Sequence, residues 1–261
     1  MGWSEGHHVT NQVHWLDFEV LDSLSLRSEL WKDVVRAIEA AIPEYDLVNE
    51  KVSLGQAQKA RKYAVEQLSL PEEKLVLDAG VGPGTMSELL LSNQNKIIIV
   101  GLDASVKLLE AAQRRFSERH SERVHLVRGV FEALPFRDGC FQRLVSAYAF
   151  RDSRDRETAI AEFSRVSSER GIFAIVDLGK PDSPVKRLPI TIYVRFFIPL
   201  IAWWSKSRAV EGNPWRMIFP TYQALVTNST LISSLRKCFV SVKIREWSLG
   251  GVIVVIAQKA V

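Results

Sequence analysis

Short apolar runs alternate with helical patterns through the middle of the chain, over residues 74–178. Runs such as KLVLDAG, KIIIVGLD and GIFAIVDLG are too short for ordinary helices and rich in Val and Ile, which favours strands. The segments between them repeat apolar residues at helical spacing. This alternation predicts an α/β protein with a mostly parallel sheet that helices cover on both faces.

Both ends of the chain depart from the alternation. The pattern predicts N-terminal helices over residues 28–70, after a loose leader over 1–27 that contains no apolar signal core. At the other end, CFVSVKIREWS, LGG and VIVVIAQK predict two strands joined by a tight turn. Residues 28–261 are therefore expected to form a single domain.

One apolar block, Leu188 to Trp204, carries a single charge at Arg195. It is short for a membrane span, which needs about 20 apolar residues, and Pro189 and Pro199 interrupt it. We expect a helix or helix pair within a cap insertion at about 183–218. Two alternatives stay open: the block forms a cap over an apolar pocket and contacts a membrane surface, or it is a plain buried helix.

Charge and cysteine content narrow the classes of function. The 261 residues carry a net charge of +4, which is too weakly basic for a dedicated nucleic-acid binder. Cys140 and Cys238 lie far apart and outside any CxxC pair, so neither a zinc site nor a redox dithiol is predicted. We expect no metal and a cytoplasmic protein with reduced thiols.

Three glycines at alternate positions follow the first predicted strand, in LVLDAGVGPGT. A bare backbone at Gly80, Gly82 and Gly84 lets a ligand approach the main chain closely. The dinucleotide pattern GxGxxG has Thr85 at its third glycine position, which disfavours NAD. An acidic residue at the strand end, here Asp78, fits S-adenosylmethionine.

Asp103 ends the second predicted strand. Its carboxylate is positioned to accept both hydroxyls of a ribose, a feature that NAD enzymes share. A role as the N-cap of the following helix is an alternative that does not exclude the first.

Several separate stretches now resemble one family. They are IPEYDLVNEKVSLG, VLDAGVGPGT, GVFEALPFRDGCFQ, AYAFRDSRDRETAIAEFSRV, DLGKP and IFPTYQAL. Together they make the chain similar to the ubiquinone/menaquinone biosynthesis C-methyltransferase family, from about residue 30 to the C-terminus. The first stretch and the one around Arg151 are the most specific.

The resemblance implies a class I methyltransferase fold: a Rossmann-like, seven-stranded, mostly parallel sheet that ends in an antiparallel hairpin. It also implies methyl transfer from S-adenosylmethionine to a ring carbon of a prenylated quinol. The cofactor-binding residues that it implies are Tyr45, Asp78, Gly80, Gly82, Gly84, Asp103, Ala104, Val130, Phe131 and Ser146.

For catalysis the resemblance favours Arg151 and Asp152, at the end of the fourth strand. Arg151 is expected to hold a phenolate, since a guanidinium does not readily deprotonate, and Asp152 to act as the base. The charge-rich run RDSRDRE is also typical of a solvated loop. The lipophilic substrate is expected to contact Tyr222, Phe196, Phe197 and Trp203, with Ile192 and Trp204 as further channel walls.

Three departures separate the chain from the family pattern. Val130 replaces an aspartate, Asp152 replaces an asparagine, and SSERG replaces a Lys-Pro-Gly-Gly turn. Three alternatives therefore stay open: methylation of another lipophilic small molecule, an NAD-linked reductase, and a non-catalytic membrane-surface protein. No nucleic-acid partner is expected, while peripheral membrane contact and a homodimer also stay open.

Overall fold

The computed structural model describes residues 28–70, 72, 74–94, 96–117, 120–205 and 213–261. The predicted leader lies outside these residues. The strands are β1 (Leu75–Ala79), β2 (Ile98–Asp103), β3 (Val124–Arg128), β4 (Phe141–Ala147), β5 (Ser167–Leu178), β6 (Ser241–Trp247) and β7 (Val252–Gln258). The α-helices are α1 (Ser28–Ala41), α2 (Tyr45–Val52), α3 (Gln56–Leu68), α4 (Thr85–Asn93), α5 (Val106–Phe116), α6 (Arg156–Val166), α7 (Pro184–Ile192), α8 (Ile198–Trp204), α9 (Ile218–Ala224) and α10 (Asn228–Leu235).

The strands form one seven-stranded sheet in the order β3-β2-β1-β4-β5-β7-β6. Neighbours are parallel from β3 to β5, whereas β7 runs antiparallel to both β5 and β6. The sheet, its parallel majority and its closing hairpin confirm the predicted fold class. The order reverses between β1 and β4, and ligands of open α/β sheets bind at such a point, beyond the carboxyl ends of the strands.

Alternate residues of the central strands enter separate cores. Leu77 and Leu144 belong to a cluster that includes α6 and α10, whereas Val76 and Val145 belong to one that includes α3, α4 and α5. Successive side chains of a strand point to opposite faces, so the two clusters cover the two faces of the sheet. The near-continuous apolar strand sequences follow from this double burial.

Two helices around the strand ends begin at side-chain caps. The Ser105 hydroxyl accepts a hydrogen bond from the Leu108 amide at the start of α5. The Asp155 carboxylate accepts from the amides of Glu157 and Thr158 at the start of α6. The N-cap alternative for Asp103 is therefore wrong, because Ser105 has that position.

The apolar block is a helix pair. α7 leads through a π-helical turn at Tyr193–Phe197 into α8, and a 3-10 turn at Pro214–Met217 then leads into α9. A third apolar cluster joins these elements to α2, with Val194, Tyr222 and Val48 among its buried members. None of the described helices is long and apolar enough to cross a membrane.

Phe163 of α6 connects the core to the loops above the sheet. Its ring is fully buried, stacks on Phe173 with centroids 4.4 Å apart, and contacts Phe131 and Phe150. Phe131 and Phe150 follow β3 and β4, so the packing of this ring also fixes the positions of both loops.

We expect Phe163→Ala to lower the free energy of unfolding by about 3–5 kcal/mol, because it leaves a cavity among the stacked rings. Urea denaturation followed by circular dichroism measures the change. The control is Val240→Ala, at a residue that is 71% exposed. A loss for Phe163→Ala no larger than that of the control would contradict the packing described.

Candidate active site

The glycine turn after β1 is tied to the end of β2. The amides of Gly80 and Val81 both donate to the Leu102 carbonyl, at 2.7 and 2.9 Å. The Gly82 amide donates to Asp103 Oδ2 at 2.9 Å. Gly80 has a φ of +77°, and a Cβ there would lie 2.2 Å from the Cβ of Ala149. Glycine is required at this position both for its backbone angle and for the approach of the loop after β4.

Asp103 presents its carboxylate at the edge of this turn. Its second oxygen, Oδ1, accepts from the Ser105 amide at 2.9 Å. Burial raises the pKa of Asp103 to about 6, although the Ser105 and Gly82 amides act in the opposite direction. Each carboxylate oxygen has two lone pairs, so each retains one for a ligand hydroxyl.

A small cavity lies against the turn, and we name it the glycine-side cavity. Gly80, Asp103 and Ala104 line it on one side, and Val130 and Phe131 on the other. Its remaining walls come from α1, Leu108, Gly129, Glu132 and the loop after β4. The structure thus brings together five of the ten predicted cofactor residues.

The other predicted cofactor residues lie elsewhere. Asp78 is fully buried beneath the turn, where it accepts from the Ser87 hydroxyl at 2.6 Å, and burial raises its pKa to about 6. Ser146 is buried within the sheet. Gly82 and Gly84 shape the turn without lining the glycine-side cavity. Asp78 and Ser146 are therefore covered by other residues and do not line the cavity in which the cofactor was expected.

A buried ion pair connects the ends of β4 and β5. Arg151 Nη1 lies 2.9 Å from Asp177 Oδ1, and the Arg151 amide donates to Asp177 Oδ2. The same guanidinium donates to the Tyr148 carbonyl at 2.7 Å. Burial by itself lowers the pKa of Arg151, but the carboxylates of Asp152 and Asp177 outweigh it and leave the pKa above its ordinary value.

Asp152 lies beside this pair. Its Oδ1 is buried, has no hydrogen-bond partner among the described residues, and lies 3.6 Å from Arg151 Nε. Burial raises the pKa of Asp152 to about 6, although the charge of Arg151 acts against the shift. Both side chains are almost completely covered, which excludes the solvated-loop alternative for Arg151 and Asp152.

A larger cavity of about 380 Å³ opens on the other side of Asp152, and we name it the apolar cavity. Val34, Ile38 and Asp152 line both cavities, so the two meet at this carboxylate. The walls of the apolar cavity come mainly from α1, α2, α3, the loop before β7 and the cap. The cap contributes Pro189, Ile190, Tyr193, Val194, Ile198, Pro214, Trp215, Met217, Ile218 and Thr221.

Two arginines, a carboxylate and two tyrosines stand out among the residues that line this cavity. Arg61, Arg151 and Asp152 line it together with Tyr45 and Tyr148. The guanidinium carbon of Arg61 lies 4.9 Å from the centre of the Tyr148 ring, and its Nε is buried with no hydrogen-bond partner among the described residues. Burial raises the pKa of both tyrosines. Two cations therefore face a cavity whose walls are mainly apolar.

The predicted substrate residues are placed differently from expectation. Phe196, Phe197 and Trp203 are 61%, 49% and 74% exposed and do not line the apolar cavity, so the prediction that they form its walls is wrong. Phe197 instead stacks on Tyr193, which does line the cavity. Tyr222 is buried within the cap cluster, and its neighbour Thr221 reaches the cavity instead. Tyr45, predicted beside the cofactor, lines the apolar cavity.

Three residues of the site were missed by sequence reasoning. Asp177 is the last residue but one of β5, and Asp103 is the last of β2, so a search for acidic residues at strand ends would have found both. Arg61 lies in a helix with several other basic residues, and nothing in the pattern separates it from them. Tyr148 has a φ of +61°, which its sequence context does not signal.

Comparison with known proteins finds related methyltransferases. A demethylmenaquinone methyltransferase of Thermotoga maritima is 30% identical over 173 residues, which are 65% of this chain and 72% of that protein. The ubiquinone/menaquinone biosynthesis C-methyltransferase UbiE of Citrifermentans bemidjiense is 31% identical over 154 residues, 58% of this chain and 66% of that protein.

Solved structures agree on the fold. A SAM dependent methyltransferase from Aquifex aeolicus superposes with a TM-score of 0.51 at 14% identity, over 77% of this chain and 89% of that chain. The [4+2]-cyclase SpnF superposes with a TM-score of 0.58 at 16% identity, over 78% and 80%. Likeness at such identities establishes the fold alone, since one fold supports several reactions.

Fold and site together define an S-adenosylmethionine-dependent methyltransferase of class I. Residues 25–258 match the ubiE/COQ5 methyltransferase family, and the chain belongs to that family. This membership argues against the two alternatives from other classes, the NAD-linked reductase and the non-catalytic protein.

We expect Asp103→Ala to weaken binding of S-adenosylhomocysteine by about 30- to 150-fold, because two charge-assisted hydrogen bonds to the ribose are lost. Isothermal titration calorimetry measures the affinity, and thermal unfolding without ligand checks that the fold survives. The control Asp138→Ala removes the same charge from the surface. Unchanged affinity in Asp103→Ala would refute the assignment of Asp103 to the ribose.

Proposed function

We propose that the protein transfers a methyl group from S-adenosylmethionine to a ring carbon of a prenylated quinol. The observation that carries the proposal is the buried carboxylate of Asp152, which lies beside Arg151 where the glycine-side cavity meets the apolar cavity. The names of the relatives from Thermotoga maritima and Citrifermentans bemidjiense support the quinol as acceptor.

The glycine-side cavity fits the cofactor. Asp103 retains acceptor capacity for two ribose hydroxyls, and a Cβ at Gly82 would meet no atom within 4 Å, so the turn leaves open space beside its backbone. Val130, Phe131 and Leu108 provide apolar surface for an adenine ring. When bound, S-adenosylmethionine supplies an electrophilic methyl group. Val130 replaces the aspartate of the family pattern, so it supports the adenine ring through packing.

The apolar cavity fits the acceptor. A quinol ring placed at Arg61 and Arg151 has its hydroxyl next to Asp152, while its prenyl tail contacts the cap walls. Leu54 and Leu249 line the cavity and are also 67% and 59% exposed, so they lie at its mouth. The tail of a long quinol would leave the cavity between these two leucines.

Asp152 is the proposed general base. Its carboxylate accepts the phenol proton, which turns the ring carbon beside the hydroxyl into a nucleophile. Before the transfer, Arg151 lies beside two carboxylates, Asp152 and Asp177, and Arg61 lines the same cavity. After it, the phenolate replaces the Asp152 charge, so the buried cluster keeps its balance. Arg61 and Arg151 stabilise the phenolate, and the apolar walls exclude water.

A methyl-transfer assay tests the proposal. Purified protein is incubated with labelled S-adenosylmethionine and demethylated quinols of short and long tail, and the products are identified by mass spectrometry. Label on a quinol ring carbon is the expected result. Label on no quinol, with S-adenosylhomocysteine still bound, would overturn the quinol and favour another lipophilic acceptor.

A second prediction concerns pH. The base works only when ionised, so kcat/KM should rise about tenfold per pH unit below about pH 6 and level off above it, following the pKa of Asp152. Asp152→Asn should lower kcat by about 10²- to 10⁴-fold and remove this limb. Initial rates measured across the acidic limb and the plateau above it give both effects.

Asp138→Asn, at an exposed carboxylate, is the matched control and should keep the wild-type profile. Asp103 and Asp78 could produce the same acidic limb, because their pKa values are also raised to about 6. An Asp152→Asn enzyme that retains the wild-type rate and the acidic limb would assign the limb to another group and refute Asp152 as the base.

A third prediction concerns the tail. Leu54 and Leu249 both have positive φ, a conformation that Asn tolerates, so Leu54→Asn/Leu249→Asn should fold normally. Loss of apolar contact at the mouth should raise KM by about five- to thirtyfold for long-tailed quinols and leave short-tailed analogues unchanged. Steady-state kinetics on both, with Val240→Asn as control, measures the difference. Equal effects on both substrates would contradict the tail path.

A further inference from the structure

Large apolar side chains are exposed along one face of α7, the π-helical turn and α8. We name this surface the outer cap face. Leu188 and Leu200 are 62% and 52% exposed, and they lie among aromatic neighbours that are equally uncovered. The outer cap face comprises Val185, Leu188, Ile192, Phe196, Phe197, Leu200, Trp203 and Trp204.

The helix pair is apolar on two faces with different environments. Ile190, Val194 and Ile198 point inward, where they line the apolar cavity. The outer cap face follows at the intervening helical positions and meets no other described element that buries it. Contiguous exposed apolar patches of this kind mark interaction sites, because leaving them in water is unfavourable.

Within the cap itself, the charged side chains are all basic. The described cap residues 183–205 and 213–224 contain Lys186, Arg187, Arg195 and Arg216 and no Asp or Glu. The Arg195 guanidinium lies over the rings of Phe196 and Phe219, at 5.7 and 4.6 Å from their centres. It therefore sits at the boundary of the apolar surface. Basic residues around exposed Trp and Phe are the composition of a helix that lies in a membrane interface.

The mouth of the apolar cavity is adjacent. The Tyr193 hydroxyl donates to the Val52 carbonyl at 3.0 Å, which joins the cap to the chain just before Leu54. Ile190 packs against Gly251, close to Leu249. The two exposed leucines of the mouth thus flank the helix pair that carries the outer cap face.

We propose that the outer cap face binds the surface of an anionic lipid bilayer, with α7 and α8 lying in the interface and the cavity mouth directed toward the lipid. The exposed apolar side chains enter the boundary between headgroups and acyl chains, and the exposed Lys186, Arg195 and Arg216 bind anionic headgroups. Because no described helix can span a bilayer, the contact is peripheral.

Vesicle co-sedimentation of the full chain tests this proposal. The vesicles are phosphatidylcholine alone, or phosphatidylcholine with an equal amount of phosphatidylglycerol. We expect binding to the mixed vesicles, weakened by salt, and little to phosphatidylcholine alone. Leu188→Asp/Leu200→Asp should lower the partition coefficient by at least about tenfold, because both side chains lose their place in the interface. Neither residue lines the apolar cavity.

The matched control is Val240→Asp/Val261→Asp, which adds the same charge at exposed residues outside the cap and should bind as the wild type does. Equal binding by the Leu188→Asp/Leu200→Asp variant would overturn the proposal. So would a stable dimer in sedimentation equilibrium that this variant dissociates, because a second copy would then cover the face. The assay contains neither quinol nor cofactor, so it is independent of the proposed reaction.

Discussion

The buried pairing of Arg151 with Asp177 is the constraint on which the site depends. It joins the loop after β4 to the end of β5, and it places Asp152 where the two cavities meet, beside Val34 and Ile38. Burying an ion pair is costly unless its hydrogen bonds are satisfied. The Tyr148 carbonyl and the Arg151 amide supply two of them, whereas Arg151 Nε has no hydrogen-bond partner among the described residues.

The order of the strands places the two parts of the site on two neighbouring pairs of strands. β1 and β2 carry the glycine turn and Asp103, whereas β4 and β5 carry the ion pair. Because the order reverses between β1 and β4, the loops diverge there and leave room for two ligands that meet end to end. Phe163 packs beneath both loops, so the relative position of the two halves is set by the core.

The cap adds a lipophilic environment to a fold that other methyltransferases share. Its inner positions line the apolar cavity, and its outer positions stay exposed. A helix pair that is apolar on both faces suits both proposals, a cavity for a prenyl tail on the inner side and a lipid surface on the outer side. Solubility in water alone would favour polar residues on the outer face.

The sequence by itself determined the strands and the glycine turn, because strand periodicity and the glycine pattern are local properties of the chain. Arg151 and Asp152 became candidates only through the family resemblance. It could not determine which face of the apolar block points inward, since Leu188 to Trp204 is apolar all round and a helical pattern then carries no direction. It also could not show that Arg61 and Asp177 join the site. Their side chains come together only when the helix and the strand pack, and long-range proximity of this kind is decided by tertiary structure.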